Sequence, residues 1–263
     1  MSLSKGVIPP TDEADELFVG WAKAPPVDRR FLLTALTASI AATTGLAYAV
    51  ARSLDDPGAG AWRTGKLHKA TGVLATRPYP MLYLADSASP YGVKTVLVVA
   101  QGKCTSALDL SAKDGRVFEA SGVLIERGSR QMLEVPLALG EWLAPVANIG
   151  LKLPDFAPEG LGRAKLSGRI MDSKCFFGVM RPSRGKTHKA CASLCIRGGI
   201  PPSFWARAKD GREAVLLMTD ASGAALGEEI LPFVADPVAA EGEIVRVGDL
   251  LQFRADASAY RRI

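Results

Sequence analysis

Histidine is almost missing from this 263-residue chain, which holds only His68 and His188, and cysteine occurs only four times. These shortages exclude whole chemistries. A Rieske centre needs two histidines and two cysteines in paired motifs, and His68, in "KLHKA", has no cysteine near it in the chain. There is no C-x-x-C-H to attach a c-type haem and no C-x-x-C of the thioredoxin kind. No G-x-S-x-G is present, so a serine triad would have to be built on His68 or His188 without its nucleophile turn. "SRGKT" imitates the end of a phosphate-binding loop, but Met180 stands where G-x-x-x-x-G-K-[ST] requires glycine. Carboxylates form no obvious catalytic pair. Aromatic residues are few, at 7%, and outside one stretch the basic residues are scattered, so no nucleic-acid footprint emerges. The net charge of +5 is mild and fits an anionic partner or a membrane surface without requiring either.

Charge itself is missing from one segment. From Phe31 to Ala51 run 21 consecutive residues without a charge, enough for a helix to cross roughly 30 Å of hydrocarbon. Arg29 and Arg30 precede the segment, and Asp55 and Asp56 follow it. The positive-inside rule then predicts a cytoplasmic tail (1–30), a transmembrane helix (31–51) and everything beyond on the periplasmic side of the inner membrane. A cleaved export signal is the alternative, since "RRFLL" loosely resembles a twin-arginine signal and "AYA" at Ala47–Ala49 offers a cleavage site. Both readings export the bulk of the protein to an oxidising compartment, where thiols become disulfides unless a metal or a function protects them.

What is abundant is turn and strand chemistry. With Gly 26 and Pro 17, short apolar runs recur: "KATGVLATR", "PMLYLAD", "VKTVLVVAQG", "RVFEASGVLIERG" and "RQMLEVPL", and later "AKLSGRIMD", "REAVLLMTD", "AEGEIVRVG" and "DLLQFRAD". The two sets look related. "TGVLA" (71–75) matches "SGRIM" (167–171), and "FEASGVLIERGSRQML" matches "VAAEGEIVRVGDLLQF", which superposes Gly122 on Gly242 and Gly128 on Gly248. The expectation is a mainly β protein: a tether (52–61), a first OB-like β-barrel domain (62–150), a linker (151–163) and a second OB-like β-barrel domain (164–263). A glycine just inside a strand suits the corners of a small closed barrel.

Reactive groups concentrate in "MDSKCFFGVMRPSRGKTHKACASLCIRGGIPPSF", an insertion after the second domain's first strand. Thr187 is a plausible N-cap and Gly198–Gly199 a stop for a short helix, on which His188, Cys191 and Cys195 share a face. Cys175 can fold back onto that face. Cys175, His188, Cys191 and Cys195 are a Cys3His set suited to zinc and acceptable to copper, and Asp172 can hold a ligating His188. A disulfide among Cys175, Cys191 and Cys195 is the simpler structural reading, worth roughly 3 kcal/mol for a loop of this size. A reactive thiol, favoured by the neighbouring cations, is the third. Arg181, Arg184, Lys186 and Lys189 form a basic face for an anion, lipid headgroups or a partner. Cys104, in "GKCTSA", belongs to the first domain and could join the cluster only if the domains pack closely.

The pattern "GRIMDSKC", "HKACASLCIRGG" and "VAAEGEI", closing on "LLQF", resembles small exported bacterial OB-like domains that carry Asp-x-x-Cys after the first strand and two further cysteines before a glycine. "GKTHKACASLCIRGGIPP" is similar to membrane-anchored proteins of bacterial respiratory or redox gene sets. The resemblance covers roughly residues 164–260. It implies an exported barrel module and brings no activity with it. The sequence therefore predicts a membrane-anchored periplasmic accessory protein with a protein partner in a membrane redox or transport complex. The alternative is a metal-binding or thiol redox protein using the Cys175, His188, Cys191 and Cys195 cluster.

Overall fold

The computed structural model of the chain describes residues 26–53, 60–110, 112–136, 142–147, 153, 155–207 and 213–263. The chain divides after Pro57 into two compact units. In the first, helix α1 runs unbroken over Pro26–Ser53, with side chains described as far as Thr44. Pro26 suits a first helical turn, and Asp28 lies in that turn, where its charge complements the helix dipole. Phe31, Leu32, Leu33, Leu36 and Ile40 are exposed.

The charge-free segment is thus helical, but among the described residues no helix is long and apolar enough to cross a membrane. Thr34, Thr37, Ser39 and Thr43 dilute its apolar surface, so the transmembrane assignment is not carried by the described residues. Residues 1–25 of the expected tail and 54–59 of the tether lie outside the described residues, as do the side chains of the "AYA" site.

The second unit contains two closed barrels of the same design. In the first, β1 (Gly60–Trp62), β2 (His68–Ala75), β3 (Met81–Ala85), β4 (Val93–Ala100), β5 (Val117–Arg127), β6 (Arg130–Val135) and β7 (Leu143–Pro145) follow in order. Strands β2, β3 and β4 form an antiparallel meander, β4 pairs parallel with β6, and β6–β5–β2 closes the ring, with β1 and β7 added on β5. In the second, β8 (Glu159–Asp172), β9 (Pro202–Arg207), β10 (Glu213–Thr219), β11 (Pro237–Val247), β12 (Leu250–Arg254) and β13 (Tyr260–Arg262) repeat the plan. There β8–β9–β10 is the meander, β10 pairs parallel with β12, and β12–β11–β8 closes the ring. This five-strand order, with its one parallel pair, is the OB-type Greek-key barrel. β8 begins at Glu159, so 159–163 of the expected linker belong to the second barrel.

The glycines that matched between the two halves of the sequence occupy matching places. A Cβ on Gly72 would lie 2.5 Å from the Tyr83 carbonyl oxygen, and one on Gly168 would lie 2.1 Å from that of Trp205, each on the neighbouring meander strand. Gly122 and Gly242 meet the backbone oxygens of Glu134 and Arg254 in the same way, both at 2.5 Å. At these bends the backbones approach too closely for any side chain.

Three apolar clusters result, and the middle one belongs to both barrels. Val96, Val98 and Leu133 point into the first barrel, while Leu216, Met218 and Phe253 point into the second. Val93, Leu97 and Val99 from β4 instead meet Phe176, Phe177, Leu217 and Leu250 across a seam. Polar ties cross it as well. The buried Tyr79 hydroxyl donates to the Met218 carbonyl (2.9 Å) and accepts from the Leu226 amide (3.1 Å). The Thr95 amide donates to the Asp249 carboxylate (2.8 Å), and Arg130 donates to the Asp249 carbonyl (3.1 Å).

Candidate thiol and metal centre

Between β8 and β9 the second barrel inserts α2 (Ser173–Phe177), a loop, a 3₁₀ turn at Lys186–His188 and α3 (Lys189–Arg197). α2 packs on β1, β5 and β6 of the first barrel, whereas α3 packs on β8 and the Glu228–Phe233 turn of its own barrel and meets the first barrel at the 101–106 loop. Asp172 caps α2: its Oδ1 accepts from the Cys175 amide (2.8 Å), and its Oδ2 is 3.1 Å from His188 Nε2. One fully buried carboxylate therefore closes the turn after the strand and also orients the histidine. α3 is capped by His188, without a side-chain hydrogen bond, rather than by Thr187. It ends at Gly198, as expected, and a Cβ there would fall 1.5 Å from the Lys103 carbonyl oxygen, so the site admits only glycine. The first barrel's 101–106 loop sits on that helix end, and the Ser106 amide donates to the Gly198 carbonyl (3.1 Å).

The insertion brings the predicted residues together. The donor atoms of Cys175, His188 and Cys191 lie within 4.8 Å of one another, and so do those of Asp172, Cys175 and Cys195. Cys175, His188 and Cys195 are buried, whereas Cys191 is half-buried. No cross-link is formed: Cys104, Cys175, Cys191 and Cys195 are all free. The expected disulfide among Cys175, Cys191 and Cys195 is not formed in this structure, where the three sulfurs stand together as thiols. Cys104 is exposed and its thiol takes no part.

That cation is Lys103, from the first barrel. Its Nζ donates to Cys191 Sγ (2.8 Å) and to Cys195 Sγ (3.2 Å). These two bonds raise the lysine's pKa against its partial desolvation. Cys175 and Cys195 hydrogen-bond to each other. The bond and burial push the Cys175 thiol well up, while the same bond and Lys103 pull Cys195 down. The two opposite shifts favour the proton on Cys175 over Cys195.

A second lysine crosses the seam the other way. Buried Lys174, on α2, donates to the carbonyls of Ala100 (2.9 Å) and Gly102 (2.8 Å) and pairs with Glu134 of β6 at 2.5 Å. Trp62 Nε1 donates to the other Glu134 oxygen (3.2 Å). Arg127 lies over the Phe176 ring and donates to the Gly178 carbonyl.

The expected basic face is only partly available. Lys189 pairs with Asp236 (2.8 Å), and Arg184 stacks at 4.0 Å on the Trp205 ring. Arg181 and Lys186 are exposed, and Arg181 donates to the Met180 carbonyl.

No family model matches the chain, and no curated protein does. Among solved structures it is similar to a deletion mutant of the single-stranded DNA binding protein from Thermus aquaticus. The identity is 15% over 75% of this chain and 94% of that one, with a TM-score of 0.21. The wild-type Thermus aquaticus protein gives 11% identity, 79% and 88% coverage and a TM-score of 0.20. Similarity at this level carries no argument about ligand.

Proposed function

We propose that this chain is a membrane-tethered thiol–disulfide module, accessory to a partner protein outside the inner membrane. One observation carries the reading. Cys191 is half-exposed, has the Lys103 ammonium at 2.8 Å, and has the Cys175 sulfur within 4.8 Å. An accessible sulfur in an electropositive setting beside a buried second thiol is what disulfide exchange needs.

The chemistry follows from the contacts. The Cys191 thiolate attacks a partner disulfide R–S–S–R, forms Cys191–S–S–R and releases RS⁻. Cys175 then attacks Cys191 while its proton passes to the hydrogen-bonded Cys195 thiolate. The products are the Cys175–Cys191 disulfide, a second RS⁻ and the Cys195 thiol. Two electrons have moved to the partner disulfide. Thus Cys191 is the nucleophile, Cys175 resolves, Cys195 takes the proton and Lys103 stabilises the attacking sulfur.

The tether is helix α1. Its 21 charge-free residues support a membrane position, and the hydroxyls of Thr34, Thr37 and Thr43 already donate to carbonyls one turn back.

Glutathione disulfide, acid quenching and peptide mapping test the chemistry on the full chain in detergent. The expected product is the Cys175–Cys191 disulfide, and Cys175→Ser should accumulate glutathione on Cys191. Wild-type protein that gains neither bond would end the reading. Protease added to intact spheroplasts tests the topology: the barrels should be cut, and barrels that stay protected would reverse the orientation.

A further inference from the structure

Cys175 belongs to both donor sets at the seam, and the set that holds His188 contains the same two sulfurs that the proposed disulfide would join. We propose that the reduced centre binds one thiophilic metal cation, Cu(I) or Zn(II), through Cys175, His188 and Cys191, and that the Cys175–Cys191 disulfide excludes it. The second clause rests on the dithiol reading above; the ligand set does not.

Three features of the site point to such a cation. The donors are two sulfurs and an imidazole nitrogen, a set that selects copper(I) or zinc over the hard oxygen-loving cations. They converge within 4.8 Å, and Cys175 and His188 are buried. His188 already has one ring nitrogen on Asp172, at 3.1 Å, the outer contact by which carboxylates fix the ring of a ligating histidine. Cys195 falls outside this set. Lys103 bonds it and also Cys191, whose sulfur keeps lone pairs for that donor while it ligates.

The consequence is a site that carries either a metal or a disulfide. A sulfur in a disulfide is no longer a thiolate ligand, so two-electron oxidation of the pair expels the cation, and reduction restores the site.

The test uses the full chain in detergent, reduced without oxygen and titrated with Zn(II), and separately with Cu(I), against chromophoric chelators. The reduced wild type should take up one equivalent of at least one of the two metals. Cys195→Ser should bind within a few-fold of wild type, while Cys175→Ser and His188→Gln should each lose at least about tenfold in affinity, the size of loss that disturbing a metal's coordination produces. Thermal midpoints accompany each variant, so that if Cys175→Ser unfolds, His188→Gln against Cys195→Ser still decides the ligand set. Wild type oxidised with glutathione disulfide, and mapped as Cys175–Cys191, should bind no metal. A loss in Cys195→Ser equal to that in His188→Gln, or no uptake by the reduced chain, overturns the ligand set. Unchanged binding by the mapped disulfide form overturns the exclusion. If no oxidant yields that disulfide, the dithiol reading and the exclusion fall, and the reduced titration still decides the metal site.

Discussion

Replacing Lys174 with methionine tests whether the seam is built as described. The lysine is 3% exposed and its side chain serves three acceptors: Glu134 at 2.5 Å and the carbonyls of Ala100 and Gly102. Methionine keeps most of the volume but removes the charge and all three bonds. Glu134, at 9% exposure, is then a buried carboxylate whose remaining donor among the described residues is the Trp62 indole. Breaking a buried pair from one side costs about 3–5 kcal/mol. For a unit of roughly 200 residues each kcal/mol moves the midpoint by about 2–4 °C, so the expected fall is about 6–20 °C.

The double variant Lys174→Met, Glu134→Met removes the stranded charge as well. It should recover more than half of the loss, since a buried ion pair exchanged for apolar side chains of similar volume is often nearly neutral. Urea and thermal midpoints of the wild type, both single variants and the double variant complete the cycle. Additive losses, or a single-variant loss under about 1 kcal/mol, would refute the description of this pair as buried and coupled.

Other consequences follow from the same geometry. Gly198→Ala puts a methyl group 1.5 Å from the Lys103 carbonyl, so the 101–106 loop must move off α3, and Cys191 alkylation should change together with the thermal midpoint. Tyr79→Phe strands the Met218 carbonyl and the Leu226 amide and should cost about 1–3 kcal/mol in urea unfolding. Lys103→Met removes the donor on Cys191 and should slow its reaction with glutathione disulfide roughly tenfold, about 1.4 kcal/mol, near the low end for a charged hydrogen bond. Asp236 is held below the usual carboxylate range by Lys189 and then by Arg262. Its contribution is therefore present above the unfolded value of about 3.9 and lost as pH falls through the lower folded value. With both cations partly exposed, that contribution stays under about 1 kcal/mol, and Asp236→Asn should flatten this part of the acid limb of the stability curve.

Much of the fold was legible in the sequence because a barrel strand carries its own signal. The matched glycines Gly72 with Gly168 and Gly122 with Gly242 mark the same backbone approaches in both barrels. Strand β9 was not legible: it opens at Pro202, the last residue of the "GGIPP" that follows α3, and proline reads as punctuation. The seam was legible only in hindsight. "VLVVA" in β4 is apolar at consecutive positions because alternate side chains enter different clusters, Val96 and Val98 inside the barrel and Leu97 and Val99 on the seam. A run of that kind announces burial on both faces without naming what covers the second face. The cysteine and histidine ligand types were visible for the same local reason, since His188, Cys191 and Cys195 follow helical spacing. Lys103 was not, because 88 residues separate it from Cys191, and only the barrel packing joins them.

The two lysines at the seam explain why the thiols sit there and not on either barrel alone. Lys103 comes from the first barrel and reaches sulfurs carried by the second. Lys174 comes from the second, next to Cys175, and clasps Ala100 and Gly102, which lead into Lys103. Each barrel thus positions the residue that the other one needs. The apolar cluster shared by Leu97, Val99, Phe176 and Leu217 lies beside the buried Lys174, whereas Lys103 is half-exposed. If the barrels separated, Cys195 would keep the Cys175 hydrogen bond that chiefly lowers its pKa but lose the Lys103 donor that adds to it, and Glu134 would lose the Lys174 ammonium at the same time. The chemistry of the sulfurs is therefore tied to the integrity of the seam, and a change that loosens Lys174 should be felt at Cys191 before either barrel unfolds.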